Sequence, residues 1–281
     1  MITNRLIARL DVKNNALVKG IHLEGLRVLG NPNSFGERYY YEGIDELIYM
    51  DVVASLYNRN SLHDLIKKTA EKIFVPLSVG GGVRTENDVK ELLRSGADKV
   101  IINTAAVKDP GLIERLVNRF GSSTIVVAIE AIKDESGEYG VYIDNGREYT
   151  GLKVIDWASQ VEKCGAGEII LTSVDNEGTG KGLNYELINE VTSSAGIPVV
   201  VHGGIGTVQH LVDGFHSENI NSICVSSMFH YDLVSRADFG HENVMGNTAF
   251  LKSDKKLKKN LDSVSIEQCK KELILQGVLL R

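Results

Sequence analysis

Pro76-Leu-Ser-Val-Gly-Gly-Gly-Val-Arg-Thr85 returns 122 positions later as Pro198-Val-Val-Val-His-Gly-Gly-Ile-Gly-Thr207. Glu46-Leu-Ile returns as Glu168-Ile-Ile at the same spacing, and Leu10-Asp11 corresponds more loosely to Ile129-Glu130, 119 positions on. Solenoid units run only about 20–50 residues, so a period this long marks two related halves, each holding several units. A chain of 281 residues has room for two small domains or for one large barrel, typically near 250 residues.

The pattern between the repeats decides which. Short apolar, β-branched runs alternate with helical stripes. The runs are Leu6–Leu10, Glu46–Met50, Val75–Val79, Lys99–Ile102, Thr124–Ile129, Glu168–Thr172, Pro198–Val201 and Ile220–Val225. They lack strict alternation, as strands covered on both faces of a parallel sheet do. Between them, Ser61 precedes the stripe Leu62, Leu65, Ile66, Thr69, Ala70 and Ile73; Thr85 and Thr207 stand before two further stripes as N-caps; Ser265 and Gln268 form a capping-box pattern. Eight strands alternating with helices predict a (β/α)8 barrel of two homologous half-barrels, one domain over 1–281. A doubly wound open sheet is the competing architecture.

Composition narrows the function classes. The net charge is −6 and 24% of residues are charged, which gives no global reason to expect nucleic-acid binding. No apolar run approaches the roughly 18 residues of a membrane span. Met1–Leu10 carries Arg5 and Arg9 and is followed by Asp11, a poor signal peptide, so the expected location is the cytoplasm. Cys164, Cys224 and Cys269 are far apart, without metal-ligand spacing; neither a metal nor a cofactor is expected. Glycine is abundant, 28 of 281 residues, and many glycines stand just after apolar runs, where they let backbone approach a ligand closely.

Barrel active sites sit where strands end. Strand one ends at Asp11 and strand five at Glu130, on opposite sides of an eight-membered ring. Two such carboxylates can act as general acid and base; a cap or a loop salt bridge is the plainer reading of either alone. Gly80-Gly-Gly82 and Asn103-Thr104 follow strands three and four, and Gly203-Gly204 and Ser226-Ser227 follow strands seven and eight. Backbone N–H groups at glycine turns, with nearby hydroxyls, bind phosphate. The repeat supplies this arrangement once per half, predicting two phosphate sites across the mouth.

Longer motifs carry a family resemblance. Leu10-Asp-Val-Lys13, Leu17-Val-Lys-Gly20, Val79-Gly-Gly-Gly-Val-Arg84, Ala97-Asp-Lys-Val100, Asn103-Thr-Ala-Ala-Val107 and Gly165-Ala-Gly-Glu-Ile-Ile-Leu-Thr-Ser173 resemble the cyclase subunit of imidazole glycerol phosphate synthase, over roughly 1–231 and again at the last helix. The resemblance implies a half-barrel-repeat enzyme of histidine biosynthesis. Its expected substrate is phosphoribulosyl-formimino aminoimidazole carboxamide ribotide, phosphorylated at each end. Ammonia from a glutaminase partner would convert this to imidazole glycerol phosphate and an aminoimidazole carboxamide ribotide. By motif, Asp11 matches one catalytic carboxylate, and Glu130 stands where the family has the second. Lys19 matches the mobile first βα-loop that closes over substrate. Gly82, Asn103 and Thr104 match one phosphate site and Gly204, Ser226 and Ser227 the other. Glu177 and Gly178 fall in the active-site loop. Arg5, Glu46, Lys99 and Glu168 match a charged ring at the opposite end, where ammonia enters; four structural salt-bridge residues would look the same.

The match departs at four places. Glutamates at 130 and 177 stand for the family's aspartates. His202 stands for a small residue, with phosphate binding, titration near neutrality or plain packing all open to it. An insertion at 232–262, including a lysine run, separates strand eight from the last helix. These departures also suit a paralogue that works with a glutaminase-like partner and an amidotransferase to amidinate a sugar in surface-polysaccharide synthesis. A related barrel isomerase of the same pathway fits the motifs at Asp11 and Lys19 less well.

Overall fold

A computed structural model of the chain describes residues 3–54, 62–236 and 260–281. Eight parallel strands close a ring: β1 (Arg5–Lys13), β4 (Glu46–Asp51), β5 (Leu77–Gly80), β6 (Lys99–Ile102), β7 (Ile125–Lys133), β10 (Glu168–Ser173), β11 (Val199–His202) and β12 (Ser222–Val225), each paired with the next and β12 with β1. The β6–β7 and β12–β1 pairings join the two halves, and with every strand paired on both sides the ring is a closed (β/α)8 barrel, not an open sheet.

Four more strands form two antiparallel hairpins, beyond the eight runs expected from the sequence. β2 (Ala16–Ile21) and β3 (Glu24–Gly30) grow out of β1, and β8 (Tyr139–Ile143) and β9 (Glu148–Lys153) grow out of β7. Each half therefore carries one hairpin after its first strand.

The helices lie outside the ring. They are α1 (Pro32–Tyr41), α2 (His63–Ala70), α3 (Glu86–Arg94), α4 (Thr104–Lys108), α5 (Gly111–Phe120), α6 (Val154–Lys163), α7 (Tyr185–Ser194), α8 (Val208–Phe215), α9 (Ser227–Arg236) and α10 (Ile266–Leu275). The repeat recurs in their caps: Thr85 accepts from Asp88 N–H at the start of α3, and Thr207 from His210 N–H at the start of α8. Ser265 and Gln268 form the expected capping box of α10. The expected cap at Ser61 lies outside the described residues. Of the 232–262 segment, Asp232–Arg236 belong to α9 and 237–259 lie outside the described residues.

Alternation along each strand sorts its side chains between two cores. Leu6, Ala8, Leu10 and Val12 of β1 pack outward with the helices. Ile7 points inward, where it meets Ile48, Ile101, Val126, Ala128, Ile170, Val200 and Cys224 as an apolar plug. Polar inward positions lie on both sides of that plug. Arg5, Glu46, Lys99 and Glu168 stand at the end where the strands begin. Arg9, Asp11, Glu130, Thr172 and His202 stand where they finish.

Candidate active site

At the strand-finishing end a cavity of about 380 Å³ opens into the barrel. Its walls include Gly82, Asn103 and Thr104 from one side, Glu130 and Thr172 from the other, and Arg9 from within. Arg84 and Lys108 add cations to the wall. Asn103 Oδ1 is a buried acceptor without a hydrogen-bond partner among the described residues. Thr104 Oγ1 donates to Asp144 Oδ1 at 3.2 Å. The first predicted phosphate turn and the carboxylate at 130 thus share one cavity.

Glu130 sits on the inner face of β7, opposite Thr172 in the strand register. It is 8% exposed and accepts a hydrogen bond from Gly146 N–H at 2.8 Å. That donor comes from the β8–β9 turn, where Asp144, Asn145 and Gly146 all hold positive φ, the geometry a tight hairpin turn demands. Burial pushes the Glu130 carboxyl up to about 7; Arg9 and the Gly146 N–H pull the other way without cancelling it. Such a group changes its charge at neutral pH, as acid–base catalysis requires.

Asp11 is buried on β1 and bound to Arg9, Nε to Oδ1 at 2.8 Å. Arg9 lines the cavity and Asp11 does not. The Arg9 Nη1 reaches Thr172 Oγ1 and His202 Nδ1, both at 3.4 Å. Guanidinium only donates, so His202 Nδ1 accepts and Nε2 carries the proton. Nε2 then donates to Ser226 Oγ at 3.3 Å, and Ser226 donates to the Arg9 carbonyl at 3.1 Å. Burial, with Arg9 and Lys19 nearby, holds His202 well below the usual histidine range. Of the readings open for His202, the structure shows a packed, neutral strand residue in a hydrogen-bond network. Arg9 is the residue that sequence reasoning missed. Its signal was the alternation Arg5, Ile7, Arg9, Asp11, which puts all four on one face of a strand.

The other half of the mouth is covered. Lys19 lies on β2 and pairs with Glu177; both side chains are 1% exposed. Glu177 also accepts from Leu23 N–H at 2.9 Å, and His22 N–H donates to the Glu177 carbonyl at 3.0 Å. The β2–β3 hairpin is thereby laid across the mouth onto the loop after β10. Gly178 permits this: a Cβ there would stand 2.7 Å from the Gly20 carbonyl oxygen. Gly204 is packed as closely, with a Cβ position 1.9 Å from the Gly182 carbonyl oxygen. Ser226 and Ser227, expected at the second phosphate turn, are buried. Asn260 donates to the Thr179 carbonyl and Asp262 accepts from Val208 N–H at 2.8 Å. The end of the 232–262 segment therefore packs beside that turn.

At the opposite end the four predicted charges meet. Arg5 donates to Glu46 at 3.0 Å and to Glu168 at 2.6 Å, and Lys99 donates to Glu168 at 2.9 Å. Ser222 and Arg281 extend the group, Arg281 Nη1 standing 3.5 Å from Glu46. Around this end, Tyr41, Phe74, Leu275 and Leu279 are exposed, Phe74 at 81%.

Comparison with known proteins agrees with this architecture. The family model described as "Histidine biosynthesis protein" matches residues 5–235. An imidazole glycerol phosphate synthase subunit HisF of Legionella pneumophila is 57% identical over 205 residues, 73% of this chain and 97% of that one. The HisF subunits of Alkaliphilus metalliredigens and Clostridium botulinum are 42% and 43% identical, each over 84% of this chain and 93% of theirs. No described helix is long and apolar enough to cross a membrane. The chain belongs to the histidine-biosynthesis protein family, and within it to the cyclase subunits of imidazole glycerol phosphate synthase.

Proposed function

We propose that the chain binds phosphoribulosyl-formimino aminoimidazole carboxamide ribotide across the barrel mouth. Ammonia then cleaves and closes it to imidazole glycerol phosphate and aminoimidazole carboxamide ribotide. The carrying observation is the cavity in which Glu130, poised near neutrality, stands beside the Gly82–Asn103–Thr104 turn. One phosphate binds at that turn and the other at Gly204, Ser226 and Ser227, with Lys19, Glu177 and Gly178 closing over it. Holding both ends keeps the cleaved pieces oriented for ring closure. Asp11 and Glu130 form the proton-transfer pair.

Ammonia enters at the far end through the ring of Arg5, Glu46, Lys99 and Glu168. Its source is a glutaminase subunit in a heterodimer, docked on that face. The three cysteines suit no glutaminase nucleophile, because all are buried and burial raises each thiol. The cytoplasm, with its reducing poise, is the proposed compartment. The relatives named above all carry the synthase name, which favours the cyclase over the sugar-amidination reading.

The test supplies the purified chain with that ribulosyl substrate and an ammonium salt at alkaline pH, and follows substrate loss. Turnover is expected without glutamine or a partner. Absence of turnover by the wild type sinks the proposal, and turnover unchanged by Asp11→Asn removes Asp11 from it.

A further inference from the structure

The hydroxyl of the first phosphate turn is already engaged by another part of the chain. Thr104 Oγ1 donates to Asp144 Oδ1 at 3.2 Å and accepts from Asp144 N–H at 3.3 Å. A hydroxyl has one proton to give, and here a carboxylate holds it. Asp144 and Thr104 both line the cavity, on the wall that carries Gly82 and Asn103. The turn between β8 and β9 sets Asp144 there, at φ 52°, with Asn145 at 64° and Gly146 at 75° after it. Both neighbours are fastened. Asn145 donates to the Leu23 carbonyl at 2.9 Å, and Gly146 N–H donates to Glu130 at 2.8 Å. The carboxylate is thus built into the turn that delivers it.

We propose that Asp144 is a specificity-determining residue of the first phosphate turn: its carboxylate occupies the Thr104 hydroxyl until a phosphoryl group displaces it. This rests on the phosphate reading of that turn given above. A phosphate oxygen at Thr104 needs the proton that Asp144 holds, so the two anions exclude each other there. Their charges repel as well.

The competition selects by charge. Asp144 is tethered, so its effective concentration at Thr104 is high. A ligand that brings a single carboxylate offers no more than Asp144 already supplies, and it loses. A phosphate monoester brings a second charge and a third oxygen. Arg84 and Lys108 stand on the same cavity wall, where cations favour the more highly charged group. The turn is therefore selective for phosphoryl groups over carboxylates, although its own resting partner is a carboxylate.

The test is a phosphorus NMR titration of the purified chain with inorganic phosphate at about pH 8, where the dianion prevails. Asp144→Asn removes the charge and keeps the turn, because asparagine tolerates positive φ as aspartate does. It is expected to tighten phosphate binding about 10-fold. Adding Thr104→Val should erase that gain. Asp109→Asn is the control. Asp109 also lines the cavity, but its partner is Arg115, at 2.7 Å. Its loss removes the same charge without freeing Thr104, and phosphate affinity should change little. Unchanged affinity in Asp144→Asn overturns the proposal. So does equal tightening in Asp109→Asn, which would show general charge repulsion only.

If Asp144→Asn does not fold, the wild type decides. Saturating phosphate should speed hydrogen exchange at the Asp144 amide, which loses its acceptor when the turn is displaced. Exchange unchanged at saturation overturns the displacement and leaves the phosphate reading of the turn intact. Phosphate bound by neither the wild type nor Asp144→Asn overturns that reading, and the proposal with it.

Discussion

Glu130 carries a consequence for stability as well as for chemistry. In the unfolded chain its carboxyl releases a proton near the ordinary value of 4.5, and in the fold near 7. Between those values the folded state holds the extra proton, so stability falls as pH rises through this window and levels off above it. The gap corresponds to about 3 kcal/mol. Guanidinium melts at the two ends of the window should therefore show the wild type losing about 3 kcal/mol relative to Glu130→Gln as pH rises. A difference independent of pH would mean that Glu130 is solvated. The carboxylate was legible in the sequence because it ends an apolar run. Its environment was not, since the Gly146 donor comes from a turn 16 residues away. Arg9 was hidden for a different reason. A charged residue inside an apolar stretch reads as an interruption until the strand's alternation assigns it to the barrel axis.

The eight barrel strands stood out in the sequence because burial on both faces leaves dense β-branched runs. The two hairpins did not, because each has one face towards solvent or ligand and a weaker pattern. Their turns were the available signal: Asn14-Asn15, His22-Leu23 and Asp144-Asn-Gly146 all adopt positive φ, and Asp or Asn before Gly is a strong short-range hairpin mark. The β2–β3 hairpin is held down by the buried Lys19–Glu177 pair. Breaking such a pair strands a charge and costs about 3–5 kcal/mol. Lys19→Met is therefore expected to release the hairpin. Hydrogen exchange should show faster exchange at Val18–Ile21, while β10, β11 and β12 keep their protection. Uniform loss of protection would mean that the pair supports the whole barrel.

For the molecule as a whole, the repeat was the most informative sequence feature. Two halves of four strands each have open edges until β6 pairs with β7 and β12 with β1. Closure then brings Arg5, Glu46, Lys99 and Glu168, which lie up to 163 residues apart, to one end. Exposed aromatics at that end mark the face proposed for the glutaminase. Aromatic anchors often carry 2 kcal/mol or more of binding energy, so Phe74→Glu should weaken partner affinity by about 30-fold or more in calorimetry. Turnover with ammonium should be unchanged, because Phe74 is remote from the cavity. Unaltered affinity would place the docking face elsewhere. At the other end, Asn145 at the tip of one hairpin donates to the Leu23 carbonyl at the tip of the other, at 2.9 Å. The two halves of the duplicated chain thus latch to each other across the mouth of the barrel. On the function proposed above, admission and release form a single concerted event, because neither hairpin can lift without unhooking its twin.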